Sequence, residues 1–118
     1  NYMKYLPMLF LCIIIMFFLK KKFFDSVDYK TLLIEGAIIV DVRSLSEFSV
    51  GNIDNSLNIP VGELMDNLDL LKNKDQTIIT CCASGIRSGA AKQILITNGY
   101  SNVINGGGWS SLNNKINK

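Results

Sequence analysis

Cys81 and Cys82 stand side by side in ITCCASGIRSGAAKQIL, at the end of an apolar run and ahead of a small polar turn, an arginine and a helical pattern. A thiol at that place meets the N-terminus of a helix, which carries roughly half a positive charge and several unpaired N–H donors. Such surroundings favour thiolate and lower a cysteine pKa from ~8.5 to between ~3.5 and ~7.5. Gly85 permits the tight curvature that turns successive N–H groups round one centre, an anion-binding nest. Arg87 supplies a planar fork that can hold the loop or an oxyanion, and Ser84 and Ser88 add hydroxyl donors. The set suits a nucleophile that stays ionised and an intermediate that carries negative charge. A free cysteine is also among the most buried residue types and often serves as a small hydrophobe. Strand alternation sends the two side chains to different sides, so one is expected to face the core and the other the loop.

The elements around this stretch follow in rapid alternation. Ser26 is expected to cap a helix through Leu33 and Ile34, stopped by Gly36. Ala37 to Val42, AIIVDV, reads as a buried strand. Ser44-Leu45-Ser46-Glu47 fits a capping box opening a short helix to Val50, ended by Gly51. Leu57 to Ile59 is a brief extended segment. Pro60 suits the start of a further helix with Leu64, Met65, Leu68 and Leu71 on one face. Thr77 to Thr80 is a second buried strand, the helix after the cysteines ends at Asn98-Gly99, and Tyr100 to Ile104 is a last strand. Gly106 to Gly108 reads as a flexible bend before a weak C-terminal helix. This order predicts an α/β fold, a small parallel sheet with helices on both faces. In such sheets ligands sit beyond the carboxyl ends of the strands, where the cysteine stretch lies.

Charge and hydropathy divide the chain. Tyr5 to Leu19 has no charged residue, and Lys20, Lys21 and Lys22 follow it. Fifteen residues rise about 22 Å, short of a ~30 Å hydrocarbon core, and extension to Tyr2 and Phe24 closes the gap. The run ends in bulky and basic FFLKKKFF, unlike a signal-peptide cleavage site, and it shows no polar face of a buried helix. Residues 1–22 are therefore expected to be a single-pass transmembrane anchor, contacting the membrane through residues 5–19. Three lysines after the run against one before it place the domain of residues 23–118 on the cytoplasmic side. The alternative is export after cleavage of the segment. From Phe23 onward there are eight basic and ten acidic residues, so no nucleic-acid partner is expected. With no histidine and two adjacent thiols, no metal site or disulfide framework is expected.

Cys82-Ala83-Ser84-Gly85-Ile86-Arg87-Ser88 resembles the active-site loop of rhodanese-type sulfurtransferases, a cysteine separated from an arginine by four residues. Ile39 to Pro60, IVDVRSLSEFSVGNIDNSLNIP, is similar to the family stretch that runs from Asp-Val-Arg to Asn-Ile-Pro. Gly99 to Trp109, GYSNVINGGGW, is similar to its C-terminal strand and glycine bend. The resemblance implies one rhodanese-like domain without a cofactor, with Cys82 as the sulfur-carrying nucleophile. It implies that the backbone of Ala83, Ser84, Gly85, Ile86 and Arg87 forms the substrate cradle, with Arg87 as loop anchor and anion contact. A thiosulfate or persulfide donor and a thiol or cyanide acceptor are the implied small partners. The chain departs from the family at Asn52, where many members carry histidine, and at Ala83 and Ile86, where relatives often carry basic or polar side chains.

Two other readings stand beside this one. Counted from Cys81, five residues precede Arg87, the spacing of thiol phosphatases and rhodanese-related arsenate reductases, although the loop offers no acid for a leaving oxygen. A membrane-tethered rhodanese-like module that binds a partner without catalysis is the second. Asp41 and Arg43 are read as an ion pair ordering the sheet end, and Trp109 as a core plug.

Overall fold

Alternation along one central strand divides the core in two. In the computed structural model, which describes residues 6–24 and 27–118, strand β3 spans Ile78–Cys82 and all five of its residues are buried. Ile78 and Cys82 point into a cluster with Val40, Leu64, Leu71, Ala91 and Leu95. Ile79 and Cys81 point into the other, with Ile39, Ile53 and Leu112. β3 lies between β1, Ile38–Asp41, and β4, Val103–Gly108, and β2, Leu57–Asn58, pairs with the far side of β1. All pairings are parallel. The sheet order is therefore β2-β1-β3-β4, and its direction of winding reverses between β1 and β3, beyond whose carboxyl ends a ligand would sit.

Among the described residues there are five α-helices: α1 Leu6–Phe24, α2 Tyr29–Ile34, α3 Leu45–Val50, α4 Ile86–Thr97 and α5 Trp109–Ile116. Ala91 and Leu95 of α4 cover one face of the sheet, and Leu32 and Leu33 of α2 with Leu112 of α5 cover the other. Burying one such leucine contributes about 1.5–3 kcal/mol. The α/β fold expected from the element order is thus present.

Several boundaries differ from the sequence reading. Asp28 caps α2, its carboxylate accepting from the Thr31 amide at 3.1 Å, while Ser26 lies outside the described residues. The stretch after Pro60 forms two 3-10 segments, Val61–Glu63 and Met65–Leu70, the second kinked at Asn67 with φ −125°. Leu64 and Leu71 still reach the core, but Met65 is 56% exposed. β4 continues through Gly106–Gly108 with a bulge, Gly107 lying at φ +80°, so the expected flexible bend is a bulged strand.

The expected transmembrane helix is not found among the described residues. No helix among the described residues is long and apolar enough to cross a membrane. Lys20, Lys21 and Lys22 fall within α1, and its uncharged part, Leu6 to Leu19, rises only about 21 Å against a ~30 Å hydrocarbon core. The extension toward Tyr2 lies outside the described residues.

Candidate active site

β3 continues through both cysteines, and its register with β4 shifts between Thr80 and Cys82. The chain then turns through Ala83 and Ser84 to Gly85, at φ +98°, which N-caps α4. That left-handed backbone is open to glycine at little cost. The turn folds Gly85 and the first turn of α4 back over the Cys82 side chain. Gly85 N–H donates to Cys82 Sγ at 2.9 Å, and Ser88 N–H donates to the same atom at 3.4 Å.

Burial of the Cys82 thiol acts to raise its pKa. Hydrogen bonds from the Ser88 hydroxyl and from the Ser88, Gly85 and Ser84 amides act the other way and prevail, so the pKa is lowered. Cys82 itself is 0% exposed. A donor therefore reaches Sγ only when the loop above it gives way. Cys81 has the opposite surroundings. It faces the α2–α5 side of the sheet, and burial, with the Asp41 carboxylate as the next cause, pushes its pKa up to about 12.

The other residues of the expected cradle are spread around this centre. The Ala83 and Ser84 side chains are exposed, and Ile86 is 80% exposed. Arg87 points to α3, where its two terminal nitrogens donate to the Glu47 carboxylate at 2.7 and 2.9 Å. The arginine fork thus clasps α3 to the loop, and its charge is matched there. The amides that reach Sγ within 3.4 Å are those of Gly85 and Ser88, and Ser88 stands one residue beyond the expected cradle.

Two participating residues gave no clear sign in the sequence. Glu47 reads as a capping-box residue, which it is: Ser44 N–H donates to it at 3.2 Å. Its second task, holding Arg87, needs a partner forty positions away. Asn105 on β4 holds the loop from the other side. Its Nδ2 donates to the Gly85 carbonyl at 3.1 Å, and its Oδ1 accepts from Ser88 Oγ at 2.7 Å and Gly107 N–H at 3.0 Å. An asparagine ahead of glycines reads as a turn former, with nothing local to mark a long-range contact.

Glycines at the end of β4 make room for this arrangement. A Cβ on Gly108 would meet the Ala83 carbonyl oxygen at 2.9 Å. One on Gly106 would meet Ile79 and Leu112 side-chain carbons at 2.9 Å. Beside the loop, Arg43 is buried against Asp41, with Nη2 at 2.7 Å from the carboxylate and also at 2.7 Å from the Gly51 carbonyl. Its guanidinium stacks 4.6 Å from the centre of the Trp109 ring. The pair orders the sheet end, as its position after β1 suggests.

The arrangement can hold one sulfur atom as an anion at the bottom of an amide-lined turn. Known proteins resemble this chain in sequence and in fold. A family profile described as rhodanese-like domain matches residues 26–115. The thiosulfate sulfurtransferase PspE of Escherichia coli (strain K12) is 33% identical over 74 residues, covering 62% of this chain and 71% of that protein. A tRNA uridine(34) hydroxylase of Erwinia tasmaniensis is 41% identical over 72 residues, but this chain spans only 21% of its length. Among solved structures, a rhodanese with anions from E. coli superposes with a TM-score of 0.60 at 30% identity, covering 64% of this chain and 89% of that one. The match over most of the chain, with the parallel sheet and the cysteine loop at its end, establishes that this chain belongs to the rhodanese-like domain family.

Proposed function

We propose that the chain is a sulfurtransferase in which Cys82 carries sulfane sulfur as a persulfide. The observation that carries this reading is the pair of amides, Gly85 and Ser88, that converge on Sγ at the N-terminus of α4. Ionised Cys82 attacks the outer sulfur of a donor such as thiosulfate. The new S–S bond forms as the donor's own S–S bond breaks, and sulfite leaves with its electron pair. The persulfide keeps one negative charge, which the amides and the helix dipole stabilise. Cyanide or a thiolate then takes the outer sulfur, and the Cys82 thiolate returns. No proton moves in either step when both nucleophiles enter ionised, so no histidine base is needed.

Arg87 is the anchor of the loop in this reading, and its contact with an anionic donor requires that it leave Glu47. That supports persulfide donors of lower charge over dianionic thiosulfate. The spacing from Cys81 to Arg87 has no comparable support, because Cys81 lies on the other face of the sheet with its thiol held protonated. The likeness to the hydroxylases supports the same cysteine loop, and the acidic balance after Phe23 gives no support to RNA binding. Full-length chain supplied with thiosulfate or glutathione persulfide, then cyanide, tests the reading. Thiocyanate should form with wild type and Cys81→Ser and not with Cys82→Ser. Activity that survives Cys82→Ser would overturn it.

Attachment to a membrane through α1 is a further part of the proposal. It is supported by eight large apolar side chains between Met8 and Met16 that are 39–69% exposed, and by the lysines that follow. The lysines favour a domain on the cytoplasmic side. Carbonate extraction of membranes should leave the chain in the pellet; a soluble mature chain beginning near Phe23 would overturn this part.

A further inference from the structure

Ser88 has one hydroxyl proton, and the site offers it two acceptors. Its Oγ lies 2.7 Å from Asn105 Oδ1 and 3.4 Å from Cys82 Sγ, and the residue is fully buried. The orientation of the Asn105 amide is set by its other partners, since Nδ2 faces the Gly85 carbonyl and Oδ1 faces the Gly107 N–H. While Cys82 is a thiol, its S–H donates to Ser88 Oγ, and the Ser88 hydroxyl donates onward to Asn105. Once Cys82 loses that proton, its sulfur can only accept. The Ser88 hydroxyl can then serve the sulfur only by leaving Asn105 Oδ1, which keeps the Gly107 N–H.

We propose that Asn105 is a positioning residue that competes with the Cys82 sulfur for the single Ser88 proton, and so sets how readily that sulfur is held as an anion. The inference deepens the sulfurtransferase reading and rests on Cys82 as the sulfur carrier. Other groups around Cys82 act differently. Arg87 of α4 and Cys81 of β3 act on it by charge alone. Glu47 of α3 is occupied by Arg87, and Asp41 of β1 by Arg43. None of these shares the Ser88 proton.

A double-mutant cycle on the full-length chain in detergent tests this, with the Cys82 Cβ carbon shift followed by NMR across pH. Ser88→Ala should raise the Cys82 titration midpoint. Asn105→Ala should lower it by roughly half a unit to one unit, the worth of one hydrogen bond, and should leave it unmoved when Ser88 is already alanine. An equal shift in both backgrounds, or an upward shift with Ser88 present, would overturn the proposal. If Asn105→Ala does not fold, Asn105→Asp keeps both acceptor contacts and should raise the midpoint more with Ser88 than without it; equal rises would overturn it. The two readings fail separately. A midpoint that ignores Asn105 in a chain that still transfers sulfur removes only the role of Asn105. A Cys82 that never accepts sulfur removes the transferase reading instead.

Discussion

Cys81 and Cys82 share a backbone and differ in everything around the sulfur. The Cys82 thiolate is met by donors; the Cys81 thiol is met by apolar side chains and the Asp41 carboxylate. A raised thiol pKa favours the folded state fully below the ordinary value of 9.0, and that contribution is lost as pH rises toward about 12. We predict that the urea midpoint of the wild type falls above pH ~9 and that Cys81→Ser falls less steeply, leaving the raised Tyr29 and Tyr100 to account for the remainder. Identical slopes would contradict this. The lowered pKa of Cys82 works in the other direction, present above the ordinary thiol value and lost as pH drops through the folded one. That the cysteines would part to opposite faces was legible from period-two alternation alone. The roles of Asn105 and Glu47 were not, because each depends on a partner brought close only by the sheet.

Among the elements, α3 and α4 are joined by the Arg87–Glu47 pair across the mouth of the loop. Glu47 has its pKa lowered from 4.5 to about 2, first by the Arg87 hydrogen bonds and then by the Ser44 amide. Its contribution to stability is therefore present above pH 4.5 and disappears as pH falls toward about 2. Both side chains are 38% exposed, so solvent screens the pair and the effect is small. Glu47→Gln should flatten the acid limb of the stability profile over that range, as read by circular dichroism; an unchanged limb would contradict the assignment. β4 gives a larger effect. Gly106→Ala would place a methyl against Ile79, Leu112 and the Thr80 carbonyl oxygen, and should cost about 1–3 kcal/mol in urea denaturation. The capping box at Ser44 was legible because its signal is local. The glycine run was misread for the same reason, since its cause is a neighbouring strand. The helix expected after Pro60 gave way to 3-10 turns at Asn67, where its leucines find the core without a regular helix.

Over the whole molecule, the Asp41–Arg43 pair joins β1 to the end of α3 through Gly51 and to α5 through Trp109. Asp41→Asn would leave a buried guanidinium without its counter-charge and should cost about 3–5 kcal/mol in urea denaturation, and a loss under ~1 kcal/mol would contradict that role. Three sequence stretches carry the family likeness, and the fold gathers all of them at one end of the sheet: Asp41 and Arg43, the Cys82 loop, and the glycines of β4. Their order and spacing made the fold legible. The apolar N-terminal run shows the limit of composition, because the lysines fall within α1 and no helix among the described residues is long and apolar enough to cross a membrane. In the proposed reaction one sulfur atom rests on Cys82. Mass spectrometry of the full-length chain after incubation with a persulfide donor should find about 32 Da, one sulfur, on the peptide region at Cys82 and lose it on adding cyanide. In Cys81→Ser the addition should persist. An addition found only when Cys81 is intact, or none from any donor, would contradict the account.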